Sequence, residues 1–115
     1  MTRARLSPKA EADLEALFDH IATEDPQAAL RVRNTILDTA DLLALHPGLG
    51  RTIRRASARH AQIRWFVVPR FRNYLVFYQP SKSSVLVVRI LHAAQDWTRS
   101  FPSGRGTKRP SGSPA

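Results

Sequence analysis

The chain has 115 residues, no cysteine, 43% hydrophobic and 23% charged residues, and a formal net charge of +9. That length allows one domain with a single modest core, and the missing cysteine excludes disulfides, thiolate metal sites and a cysteine nucleophile. The opening Met1–Lys9 is too charged to lead into the apolar core of a signal peptide, and no apolar run nears the roughly 18 to 20 residues that cross a bilayer, so a cytoplasmic protein is expected.

The charge is unevenly spread. From Met1 to Asp41 there are eight acids against five bases, whereas Leu42 to Gln95 holds nine bases and no acid. Eight of those nine are arginine, a fork-shaped cation suited to phosphate or carboxylate. If they share a face, they make a positive field fit for nucleic acid or an acidic protein segment; the plainer reading is a solvated basic surface.

Residues 2–6 allow a short first strand with weak alternation. Ser7-Pro8 then starts a helix, serine as N-cap and proline at the first helical position, where its missing N–H costs nothing. Ala10, Leu14, Leu17, Phe18 and Ile21 recur at helical spacing. Asp25-Pro26 repeats the start signal for a second helix with an apolar face of Ala29, Val32, Ile36, Ala40 and Leu43, which ends before His46-Pro47-Gly48. So short a link implies an antiparallel hairpin.

Gly48 to His60 reads as a basic loop. Ile63–Val68, Tyr74–Gln79 and Val85–Leu91 are rich in β-branched and aromatic residues and are separated by Pro69–Asn73 and Pro80–Ser84, which reads as a three-stranded antiparallel meander. The expected order is β-α-α-β-β-β, an α+β domain over residues 1–98 with the helical hairpin on one face of a small antiparallel sheet. Residues 99–115, rich in proline, glycine, serine and bases, read as a disordered tail.

Neither His20, His46, His60 nor His92 has metal-ligand spacing, and no phosphate loop, dinucleotide fingerprint or nucleophile elbow is present, so no metal or cofactor is expected. An arginine-rich sheet with aromatics could cut RNA, with His92, Arg89, Arg72 and Tyr74 or Tyr78 as base, cations and acid; the same residues could form a contact surface without chemistry. Alternation places Val85, Val87, Arg89 and Leu91 on one face and His92 on the other, unless a bulge intervenes. His92 alone reads as a hydrogen-bonding residue at a strand end, and Trp97 as a plug at the core edge. Arg89, amid an apolar strand, is either tied to an acid such as Asp96 or presented to a partner.

Four segments resemble the RelE/ParE toxin superfamily in the right order: Leu6–Leu14 (LSPKAEADL), His46–Arg51 (HPGLGR), Tyr74–Tyr78 (YLVFY) and Val87–Trp97 (VVRILHAAQDW). The resemblance covers about residues 2–98 and implies a type II toxin neutralised by a cognate antitoxin, commonly an acidic segment that folds on the toxin. RelE-like members cut mRNA on the ribosome. Here Asn73–Val76 lacks the arginine those nucleases carry within the strand, and Ala93–Asp96 replaces their basic run. Both departures favour the ParE type, whose studied members bind DNA gyrase. On this resemblance Arg51, Arg54, Arg64, Arg72, Arg89 and Trp97 are expected to touch target or antitoxin. The alternatives are a ribosome-dependent mRNA endonuclease and a basic nucleic-acid-binding module without toxicity.

Overall fold

A computed structural model describes residues 4–53, 57–82, 84–95 and 100–101. Two helices, α1 (Pro8–Ala22) and α2 (Pro26–Leu45), follow a short strand β1 (Arg5–Leu6). Then come β2 (Arg51–Thr52), β3 (Arg64–Val67), β4 (Tyr74–Pro80) and β5 (Val85–His92), with single 3-10 turns at Pro47–Leu49 and Ala58–His60. Both helices begin where cap chemistry places them: the Ser7 hydroxyl accepts from the Ala10 N–H and the Asp25 carboxylate from the Ala28 N–H, each with proline at the first helical position.

The five strands lie in the order β1-β5-β4-β3-β2. β2 falls inside the stretch expected to be loop. The sheet is mixed rather than wholly antiparallel, since β1 runs parallel to β5 with Arg5 opposite Leu86 and Leu6 opposite Val87. The crossover between them is long enough to hold the helical hairpin and three strands, which is what a parallel pairing requires. Among the described residues no helix is long and apolar enough to cross a membrane.

The helices cover one sheet face. Ala10, Leu14, Val32, Ile36, Ala40 and Leu43 meet Val76, Tyr78, Val85, Val87 and Ile90 there. The other face has its own smaller cluster, Ile53, Ile63, Leu75, Phe77, Leu91 and Phe101, with Trp65, Val67 and Val88 at its margin. Central β4 is thus buried from both sides, and Leu75 to Tyr78 read as a continuous apolar run instead of alternating.

Two expectations change here. A bulge sets Val87 opposite Tyr78 and Arg89 opposite Phe77, leaving Val88 extra. One additional residue reverses the alternation beyond it, so Val87 and Ile90 face the helices while Leu91 joins the opposite cluster; Val85, Val87 and Leu91 do not share a face. The packed body also passes residue 98: Phe101 is buried and its ring stacks on Phe77 at 4.7 Å. An aromatic side chain buried this well holds its segment against the sheet. The remainder of the expected tail, 102–115, lies outside the described residues.

Candidate functional site: the β5 clasp and the arginine-bearing face

β1 ends at Leu6, so β5 has no strand neighbour on that side beyond Val87. The first turns of α1 satisfy this bare edge. Ser7 donates its N–H to the Val87 carbonyl at 2.9 Å and its hydroxyl to the Val88 carbonyl at 3.0 Å. Asp13, one turn and a half further on, accepts the Ile90 N–H at 2.9 Å. The same carboxylate takes both prongs of Arg89, Nε at 2.7 Å and one terminal nitrogen at 2.9 Å, while the other terminal nitrogen donates to Ser100 Oγ at 3.1 Å. A bidentate pair of this kind is short, directional and stronger than a single neutral bond. With the two side chains only 22% and 17% exposed, the pair is well shielded. The hydrogen bonds that Arg89 donates to Asp13 push its pKa up; burial opposes this, and the carboxylate's charge adds to it.

A second node fastens the end of α2 to the sheet. Tyr78 is fully buried; its hydroxyl donates to the Pro47 carbonyl at 2.6 Å and accepts the Gly50 N–H at 2.8 Å. Arg64 donates to the Gly50 carbonyl at 2.7 Å. Gly50 is glycine for want of space: a Cβ there would lie 2.6 Å from the Tyr78 hydroxyl and 2.8 Å from the Trp65 carbonyl oxygen. Burial raises the Tyr78 pKa, an effect reduced by the Gly50 hydrogen bond and by the Arg64 charge.

The face away from the helices carries Arg51, Trp65 and Phe77 as successive cross-strand partners, with the Arg51 guanidinium over the Trp65 ring at 6.0 Å. Beside them the His60 ring meets Phe101 edge-on at 5.3 Å, which brings the Ala58–His60 turn, and Arg59 with it, onto this face. Arg70 and Arg72 stand exposed in the β3–β4 turn. In that turn the Phe71 N–H bonds to the Val68 carbonyl, Pro69 comes second and Arg70 third, with φ of 73°. This is a type II turn carrying arginine where glycine fits best.

At the same end of the sheet, His92 Nδ1 accepts the Ala94 N–H at 3.0 Å, so the neutral ring carries its proton on Nε2. Its ring meets Tyr74 edge-on at 5.3 Å.

The structure therefore sorts the expected site residues. Arg51 and Arg72 are exposed. Arg64 is half-buried on the Gly50 carbonyl. Arg89 is tied to an acid, and that acid is Asp13. Arg54, Trp97 and Asp96 lie outside the described residues. Of the residues weighed for RNA chemistry, Tyr74 and His92 are brought together, Tyr78 is buried in the core, and Arg89 and His92 pair across to Phe77 and Tyr74 on opposite faces. Sequence reasoning missed Trp65, the role of Asp13, and the packing of Ser100 and Phe101. Trp65 alone left a signal, an aromatic beside Arg64 in a strand that follows a basic loop.

A helical hairpin on one face of a five-stranded mixed sheet, with arginines on the other face and at its turns, defines a small α+β domain. The family model described as "ParE toxin of type II toxin-antitoxin system, parDE" matches residues 4–97. The chain belongs to the ParE toxin family of type II toxin–antitoxin systems. Its fold is similar to that of a solved chain titled "Chromosomal ParDE TA system from P. aeruginosa", at a TM-score of 0.65 and 22% identity, over 80% of this chain and 96% of the other. No curated protein is similar enough to match.

Proposed function

We infer that this toxin is neutralised by a cognate antitoxin and acts by binding DNA gyrase. The observation that carries the reading is the family match over residues 4–97, and the printed title of the similar solved structure, a ParDE system, supports an antitoxin partner. The surface agrees with a partner-binding role. Arg51 and Arg72 are exposed on an acid-free stretch of the chain, Leu42 to Gln95, and Arg64 is half-buried on the Gly50 carbonyl. Arg89 acts from behind this surface, held by Asp13, and positions β5 and Ser100. Leu42, Leu45 and Leu49, exposed at 37%, 62% and 47%, offer apolar ground at the end of α2 on which a folding antitoxin segment can bury area.

The test is purified toxin with gyrase, ATP and plasmid. Inhibited supercoiling with accumulation of linear DNA, reversed by added antitoxin, is the expected result. No effect from protein that binds its antitoxin removes gyrase as target. The pairing of Tyr74 with His92, near Arg72, then favours the second reading, a ribosome-dependent mRNA endonuclease, which new 5′ ends in transcripts after induction would reveal.

A further inference from the structure

We propose that the sheet face away from the helices, at its β2–β3 edge, binds the phosphate backbone of nucleic acid, with Arg51 and Arg59 as contacts. This goes beyond the gyrase reading and does not depend on it.

The argument begins with where the charges lie. Every acid before residue 96 lies on α1, on α2 or in the link between them. Those helices cover one sheet face only. Arg51, Arg59, Arg70, Arg72 and Lys82 are exposed elsewhere, and among the described residues the one ion pair is Arg89 with Asp13. Packed layers stand about 10 Å apart, a distance comparable to the Debye length of roughly 10 Å at 0.1 M salt. The helical acids therefore cancel only part of the field on the far face, and a polyanion is drawn to that face while the acidic helices repel it.

Placement gathers cations and aromatics at the β2–β3 edge of that face. Arg51, Trp65 and Phe77 follow one another across three strands, and His60 on Phe101 brings Arg59 to the same side. The indole beneath Arg51 restrains its long side chain, which lowers the entropy lost on binding and leaves the guanidinium's donors facing outward. A duplex presents one negative charge about every 1.7 Å of axis, and arginines that neutralise its phosphates gain from the counterions they release.

The experiment measures anisotropy of a fluorescein-labelled duplex of about 20 base pairs with the full chain, in KCl from about 25 to 200 mM. Micromolar to hundred-micromolar binding that weakens steeply with salt is expected. Arg51→Ala/Arg59→Ala, at exposed positions outside both packed clusters, should keep its circular dichroism and melting temperature. Its log–log salt slope should be shallower by about 2, near 0.9 per lost contact, with at least about tenfold weaker binding at 50 mM. A second protein, Arg105→Ala/Lys108→Ala/Arg109→Ala, should still bind and should still respond to loss of Arg51 and Arg59. The proposal is overturned if folded protein does not bind at the lowest salt. It is equally overturned if the Arg51/Arg59 pair changes nothing while the second protein loses all binding, or if labelled polyglutamate of equal charge binds as tightly with the same arginine dependence.

Discussion

Replacing Asp13 by alanine withdraws one carboxylate from three donors at once: two arms of Arg89 and the Ile90 N–H. A hydrogen bond to a charged group contributes about 1.5–3 kcal/mol net, and removing one partner of a fully buried ion pair costs about 3–5 kcal/mol. Here the two side chains keep about a fifth of their surface in water, so water recovers part of the loss and the lower end applies. We expect Asp13→Ala to destabilise by about 3 kcal/mol, lowering the melting temperature by about 12 °C for a body of this size. Urea unfolding at unchanged m-value measures it. The thermodynamic cycle with Arg89→Met separates the pair from its surroundings. Methionine keeps much of the arginine stem, and the double variant leaves neither charge unpaired, so its loss should be about 2 kcal/mol smaller than the sum of the single losses. Amide exchange at Ile90 should accelerate in every variant lacking the carboxylate. An Asp13→Ala protein within about 0.5 kcal/mol of wild type, or a cycle that adds without coupling, would refute the clasp.

Tyr78→Phe strands the Gly50 N–H and the Pro47 carbonyl in a buried site and should cost about 2–3 kcal/mol by urea unfolding. Because burial raises the Tyr78 pKa, the folded state keeps the phenol protonated where the unfolded chain ionises near pH 10; stability is intact below that value and falls as pH climbs through the folded-state pKa, a decline that Tyr78→Phe should blunt. Arg70→Gly relieves a φ of 73° and should raise stability by about 0.5 kcal/mol after the added freedom of the unfolded chain is counted, and a lower melting temperature would contradict the turn assignment. Phe101→Ala removes the ring stacked on Phe77 and should cost about 3 kcal/mol in thermal unfolding, against no change if the body ended at residue 98.

What could be read from the sequence was local. Ser7-Pro8 and Asp25-Pro26 announce helix starts because a cap bonds to an amide only three residues away. The helical faces and three of the strands follow from spacing and side-chain type for the same reason. What could not be read connects distant parts of the chain. The pairing of β1 with β5 depends on a crossover some 80 residues long in which no single residue carries the signal. The bulge at Val88 is set by how β5 must bend against β4, and it inverts a face assignment that simple alternation makes with equal ease either way.

Arg89 shows where such reasoning stops. A cation in an apolar strand demands an acid, and Leu42 to Gln95 contains none, so its partner had to come from the helices or from Asp96. Composition narrows the choice that far and no further. The selection is made by the sheet edge: β1 is only two residues long, β5 is left bare beyond it, and among the described residues the acid that reaches both the Ile90 N–H and the guanidinium is the one that α1 holds against that edge. The consequence for function is a division of labour among the arginines. The one set in an apolar strand is neutralised by Asp13 and builds the scaffold, while Arg51, which the sequence places in a basic loop and among the expected contacts, stands over Trp65 with its charge free of any carboxylate among the described residues.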